Sequence, residues 1–254
     1  TSASDTGELV IKYDNNYPDA LAIQTGSTNI RFTNALYRDP SAWHHVVVAF
    51  DTTQSTASNR TKVYVNGEQI TSFNISNDLT QNTDTSVNNT VTQEIGVFAR
   101  LNSQYFDGYL TEVQMIDGQQ LDADDFGEYD DNGTWKAKKY TGTYGTNGFY
   151  LNGVGVTDQS GNGNNWTNNN LNLSTSTATT YDQMKDTPSL VDENAANFAT
   201  LNPLDVYPGR QFALDGNLKW NDTSGGSWGR SNMSVTTGKW YWEVSGFSTN
   251  NWMI

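Results

Sequence analysis

Few residues in this chain can do acid–base or metal chemistry, and their types and spacing narrow the options. Cysteine is absent and histidine occurs twice, as His44 and His45. Thiol nucleophiles, zinc–thiolate sites and disulfides are therefore excluded. On an extended strand successive side chains point to opposite faces. His45 then shares a face with Trp43, Val47 and Ala49, while His44 shares one with Val46, Val48 and Phe50. The two imidazoles cannot line one site, and each is expected to pack or to hydrogen-bond. Retaining glycoside hydrolysis needs two carboxyls about 5–5.5 Å apart, which on one strand face means acids at even spacing. Glu112 has Leu110 and Gln114 at those positions, and Glu94 and Glu243 stand equally alone. The expectation is a protein that is not an enzyme, with acids meeting from separate strands as the alternative. Calcium takes oxygens from Asp, Asn and backbone carbonyls, all plentiful here. The densest acidic run, Asp122, Asp124, Asp125, Glu128, Asp130 and Asp131, lacks the alternation of an EF-hand. It reads as an N-capped turn followed by a solvated acidic surface. Tyr105, Trp135 and Trp166 lie in polar loop contexts. They are candidates for a platform on which sugar rings stack, or for clamps that hold a connector to its neighbour.

The elements that must position these groups read as strands. Helical periodicity is almost absent, and short alternating segments recur between Gly, Asn and Asp. Trp43 to Asp51 is β-branched with aromatic ends and predicts a central strand. Thr61 to Val65, then Asn66-Gly67, then Gln69 to Phe73 predict a hairpin, because both turn residues accept the positive φ of a type I′ turn. Glu8 to Tyr13, Ala20 to Gln24, Thr28 to Thr33, Gln93 to Ala99 and Gly108 to Ile116 are further strands, and Leu121 to Phe126 predicts one helical turn capped by an Asp. Regular spacing without a long helix predicts an all-β, antiparallel two-sheet β-sandwich over residues 1–130. Residues 131–200 are rich in Gly, Asn and Thr and read as an extended connector with too few apolar residues for a core of its own. Residues 201–254 turn strand-like again, at Phe212 to Leu214, Leu218 to Trp220, Met233 to Val235 and Lys239 to Val244, as a partial second β-sandwich. The chain opens at Thr1 rather than Met and stops at Ile254 inside what reads as another strand, so a longer protein is expected at both ends.

Composition bounds the partners. With 14 Lys+Arg against 28 Asp+Glu the net charge is −14. Nucleic acid is excluded as a partner because phosphate affinity rests on basic side chains, and an anionic membrane surface is disfavoured for the same reason. No apolar run approaches the ~18 residues of a membrane span. Apolar residues make up 35% of the chain, yet 12% is aromatic, which fits a turn-rich β protein rather than disorder.

Two passages carry a family resemblance. "SAWHHVVVAFD…TKVYVNGEQI" followed by "YFDGYLTEVQMIDGQQLDADDF" resembles the laminin-G/pentraxin branch of the concanavalin A-like lectin and glucanase sandwiches, a jelly roll, over roughly residues 8–128. That branch often holds calcium at the sandwich rim. The resemblance therefore makes Asp51 and Asp107, at loop edges beside the two motif strands, the candidate metal ligands. "GKWYWEV" is similar to the opening strands of SPRY-type sandwiches. The order of the pieces, with "DQSGNGNNWT" and "NFATLNPL" between them, resembles structural proteins of tailed, marine-type bacteriophages. This implies a virion protein, a fibre, spike or surface decoration, that binds host cell-surface glycans or other virion proteins and assembles as a homotrimer. A polysaccharide depolymerase and a purely architectural capsid cement or head-fibre protein are the alternatives.

Overall fold

The computed structural model describes residues 9–14, 17–25, 28–39, 42–85, 87–89, 93–98, 103–106, 108–131, 133–153, 155–173, 182, 201–206, 213–214, 219–220 and 228–241. The chain divides into two compact units, residues 1–198 and 199–254.

Unit 1 opens with β1 (Leu9–Asp14), β2 (Tyr17–Thr25) and β3 (Thr28–Leu36), then β4 (Val46–Phe50), β5 (Thr61–Val65), β6 (Glu68–Gln69) and β7 (Phe73–Ser76). One sheet has the order β1-β2-β3-β7 and a second has β4-β5-β6, every pair antiparallel. The chain changes sheets between β6 and β7, as a sandwich requires. Leu21 and Ile23 of the first sheet pack against Val63 and Val65 of the second, with Val46, Val48, Phe50 and Phe73 around them. These inward residues alternate along their strands, and this is the sandwich core. The hairpin forms where Asn66-Gly67 predicts it. Val65 pairs with Glu68 across the two-residue turn, whose φ values are +50° and +86°.

Strand β4 is not central in its sheet. Among the described residues it pairs with β5 alone and forms the edge. Its unbroken apolar run has another cause, burial on both faces by packed layers. Val46 and Val48 face the sandwich core, whereas Val47 points outward and packs with a second cluster of Phe126, Tyr140, Tyr144 and Tyr150.

That second cluster comes from the chain after β8 (Val97–Phe98) and β9 (Ser103–Tyr105), a short antiparallel pair. That part carries β10 (Val113–Met115), β11 (Gly127–Tyr129), β12 (Trp135–Ala137) and β13 (Phe149–Leu151), which pair as β10-β13 and β11-β12; Tyr150 of the cluster lies on β13, and Phe126, Tyr140 and Tyr144 lie between the strands. Between β10 and β11 the helical turn Ala123–Asp125 is capped by Asp122 and closed by a reciprocal bond from the Asp122 N–H to Asp125. Residues 133–151, which the sequence places in a connector, thus run as strands and core within unit 1. Their aromatics lie in a layer that another part of the chain completes, so the segment needs no core of its own.

In unit 2, β14 (Leu201–Val206) pairs with β17 (Gly229–Ser231), and β15 (Ala213–Leu214) with β16 (Lys219–Trp220). The strands expected at Met233 to Val235 and from Lys239 are irregular through Tyr241, and residues from 242 lie outside the described ones. Overall the protein is all-β with antiparallel sheets.

Candidate functional site

The β10–β13 pair has two faces with different uses. Gln114 and Tyr150 are opposite one another and turn towards the second aromatic cluster, where the Tyr144 hydroxyl donates to the Gln114 side-chain oxygen at 2.9 Å. Burial, followed by Glu112, Tyr140 and Asp158, pushes the Tyr144 phenol up to about 12. Tyr150 is raised as well, by burial and by the hydrogen bond its hydroxyl donates to Glu112 at 2.7 Å. Glu112, alone in the sequence, is therefore a structural acceptor for a buried tyrosine.

Met115 and Phe149 face each other across the pair on the opposite side. Trp166 stands edge-on to the Phe149 ring at 4.9 Å. Around this apolar patch Asn88, Gln93, Asn147 and Asn164 complete an open cleft of about 280 Å³. It combines what sugar recognition requires, an aromatic wall for the apolar side of a ring and side-chain amides for its hydroxyls.

Trp166 is placed by the loop that begins at Asp158. Asp158 is only 8% exposed. Its two oxygens accept from the backbone N–H groups of Tyr150, Ser160 and Asn164 and from the Ser160 hydroxyl, all at 2.8–2.9 Å. Burial works to raise its pKa, but these bonds outweigh burial and leave the carboxyl below the usual range. Asn162 and Asn164 donate their amides to the carbonyls of Gly145, Thr146 and Gly148, and the Trp166 N–H bonds the Val156 carbonyl. The middle of the loop is thus pinned to the turn that leads into β13, its start to Tyr150 and its end to Val156. Asp117 holds the facing wall, accepting from the Asn88 amide at 2.7 Å and from the Asn147 N–H at 3.1 Å. A second open cleft, of about 410 Å³, includes Phe50, Thr52, Thr83, Asp84 and Thr85 and shares Asn88 and Asn89 with the first.

The sequence candidates do not converge here. Trp166 lines the first cleft, whereas Tyr105 and Trp135 line neither. Tyr105 ends β9 and is 70% exposed. Trp135 is the clamp rather than the platform. Its ring covers Gly67 and Gly127, lies 4.9 Å from Tyr129, and its indole N–H donates to His45 Nδ1 at 3.0 Å. Burial lowers the pKa of His45, which keeps it the neutral acceptor this bond needs. His44 instead packs edge-on against Tyr37. The two imidazoles thus occupy separate structural positions.

Asp51 closes a local turn. The Thr53 hydroxyl, the Gln54 amide and the Thr53 N–H donate to its two oxygens and hold its carboxyl below the usual range. Asp107 lies outside the described residues. Among the described residues no three acids or imidazoles gather as a metal site would require.

Asn88, Gln93, Asn147, Phe149 and Asn164 were not candidates from the sequence. Asn147-Gly and the Asp-Gln-Ser-Gly-Asn-Gly-Asn-Asn-Trp run are visible as turn chemistry, but only the β10–β13 register brings them to one cleft.

Comparison with known proteins adds the family of the first half. A laminin-G family model, described as the concanavalin A-like lectin/glucanases superfamily, matches residues 1–125. That stretch carries a concanavalin A-like lectin/glucanase domain. The sheets β1-β2-β3-β7 and β4-β5-β6 are its sandwich, and the residues after 125 supply the layer that bears β13 and Trp166. Neither a search of curated proteins nor one of solved structures finds a match.

Proposed function

We propose that the chain is a non-catalytic glycan-binding module whose principal contact is the cleft between Phe149 and Trp166. The observation that carries this reading is the pairing of an aromatic wall with several amide side chains, of which Trp166 and Asn164 stand on a loop held by a buried carboxylate. The concanavalin A-like lectin/glucanase domain over residues 1–125 is compatible with it. Binding rather than turnover is favoured because Asp84 is the one acid among the described residues lining the two clefts. Hydrolysis by either common route uses a pair of carboxyls.

The setting we propose is the surface of a phage particle, from the resemblance in the order of the sequence segments. Several copies, as a homotrimer among other virion proteins, would multiply a weak single-site affinity. The test is a glycan array probed with the wild-type protein and with Trp166→Ala. Retention of particular glycans by the wild type, weakened about tenfold or more by the substitution, is the expected result. Binding to virion subunits with no glycan retained would instead favour an architectural role, and release of reducing ends would favour a depolymerase.

A further inference from the structure

The two clefts are neighbours with different chemistry, and Asn88 and Asn89 line both. The first offers the Phe149–Trp166 wall. The second offers the threonines Thr52, Thr83 and Thr85 and one carboxylate, Asp84. No Lys or Arg is among the described residues lining either cleft, and Asp117 lies behind the shared wall, bonded to Asn88 and Asn147. We propose that the clefts act as one trough that takes an extended, uncharged glycan chain, seats one sugar on Trp166, and rejects chains carrying carboxylate or sulfate groups. This rests on the glycan-binding reading above and adds to it a direction, a minimum length and a charge class.

A single sugar fills the aromatic cleft and leaves the threonine cleft in water, so further units gain contacts only if the chain runs past Asn88 and Asn89. An anionic unit arriving there meets the Asp84 carboxylate with no Lys or Arg among the described lining residues to offset it, in a protein of net charge −14. Small-molecule sites span about 300–1,000 Å³. The first cleft, at about 280 Å³, lies just below that range and the second, at about 410 Å³, within it.

The experiment measures affinity for neutral hexose and N-acetylhexosamine oligomers, from single sugars to hexamers, beside matched uronate and sulfated oligomers. It uses the wild type, Trp166→Ala and Asp84→Asn. The expected result is affinity rising about tenfold or more from single sugar to tetramer. Anionic oligomers bind at least about tenfold more weakly than their neutral counterparts, and Asp84→Asn or added salt narrows that gap. Trp166-dependent binding that is flat with length, or equal for neutral and anionic chains, overturns the trough while leaving the glycan-binding reading intact. No Trp166-dependent binding to any oligomer overturns both.

Discussion

At the scale of single residues, Trp135 shows how one side chain can look functional in sequence and be structural in space. It sits in a polar stretch, yet its ring covers two glycines and its N–H reaches an imidazole contributed from 90 residues earlier. Trp135→Ala is expected to cost about 2–4 kcal/mol, below the top of the range for aromatic truncation because the ring is half-buried. Urea unfolding measures it. His45 adds a pH dependence of definite sign. Because burial lowers its folded pKa, the unfolded chain binds its proton first as pH falls. Its contribution is whole above about 6.5, the ordinary histidine value, and is lost as pH drops from there towards the folded value. Stability measured across that window should fall on acidification, and His45→Gln should flatten this part of the profile. Trp166 resembles Trp135 in sequence context but stands at the rim of a cleft, which is why it is the binding candidate and Trp135 is not.

At the scale of elements, the turns do the placing. Gly67 has a φ of +86° and lies directly under the Trp135 ring. Gly67→Ala therefore meets both left-handed strain and an indole that cannot move aside without losing His45, and is expected to cost about 2 kcal/mol or more. Asp122→Ala removes the cap of the turn at Ala123–Asp125, and its expected cost is about 1 kcal/mol. The two denaturation midpoints should rank in that order. Asp158 organises the loop bearing Trp166, so Asp158→Ala should speed amide exchange at Tyr150, Ser160 and Asn164 and abolish glycan retention together. Acid acts in the same direction. A carboxyl with a lowered folded pKa contributes stability that is present above about 4 and lost as pH falls through the folded value. These elements were legible in the sequence to unequal degrees. Asn66-Gly67 and the Asp122 cap are short-range signals, because neighbouring residues decide them. The edge position of β4 and the structural role of residues 133–151 were not legible. An apolar run looks the same whether hydrogen bonding or packed layers surround it, and Tyr140, Tyr144 and Tyr150 have no visible core until Val47 supplies the other side.

At the scale of the whole molecule, the low apolar fraction is explained by layering rather than by weakness. Sheet β4-β5-β6 serves two cores, so few apolar residues do double duty, and among the described residues loop side chains such as Asn162 and Asn164 hydrogen-bond to backbone. The charge of −14 has its own consequence. Retention on DNA or on sulfated polysaccharide should be undetectable at physiological salt, since the counterion release that drives such binding needs basic side chains. Apart from Trp166, the candidate site lay beyond the reach of sequence for a topological reason. Asn88, Asn147, Phe149 and Trp166 are separated by up to 78 positions and meet where the β10–β13 pair is joined by the bonds of Asp117 to Asn88 and Asn147. The most direct test of the account is therefore positional: a crystal structure of the protein with the tightest-binding glycan from the array. A sugar ring against Trp166 and Phe149, hydrogen-bonded to Asn147 or Asn164, is the predicted result, whereas a glycan seated at Tyr105 or elsewhere, with this cleft in water, would contradict it.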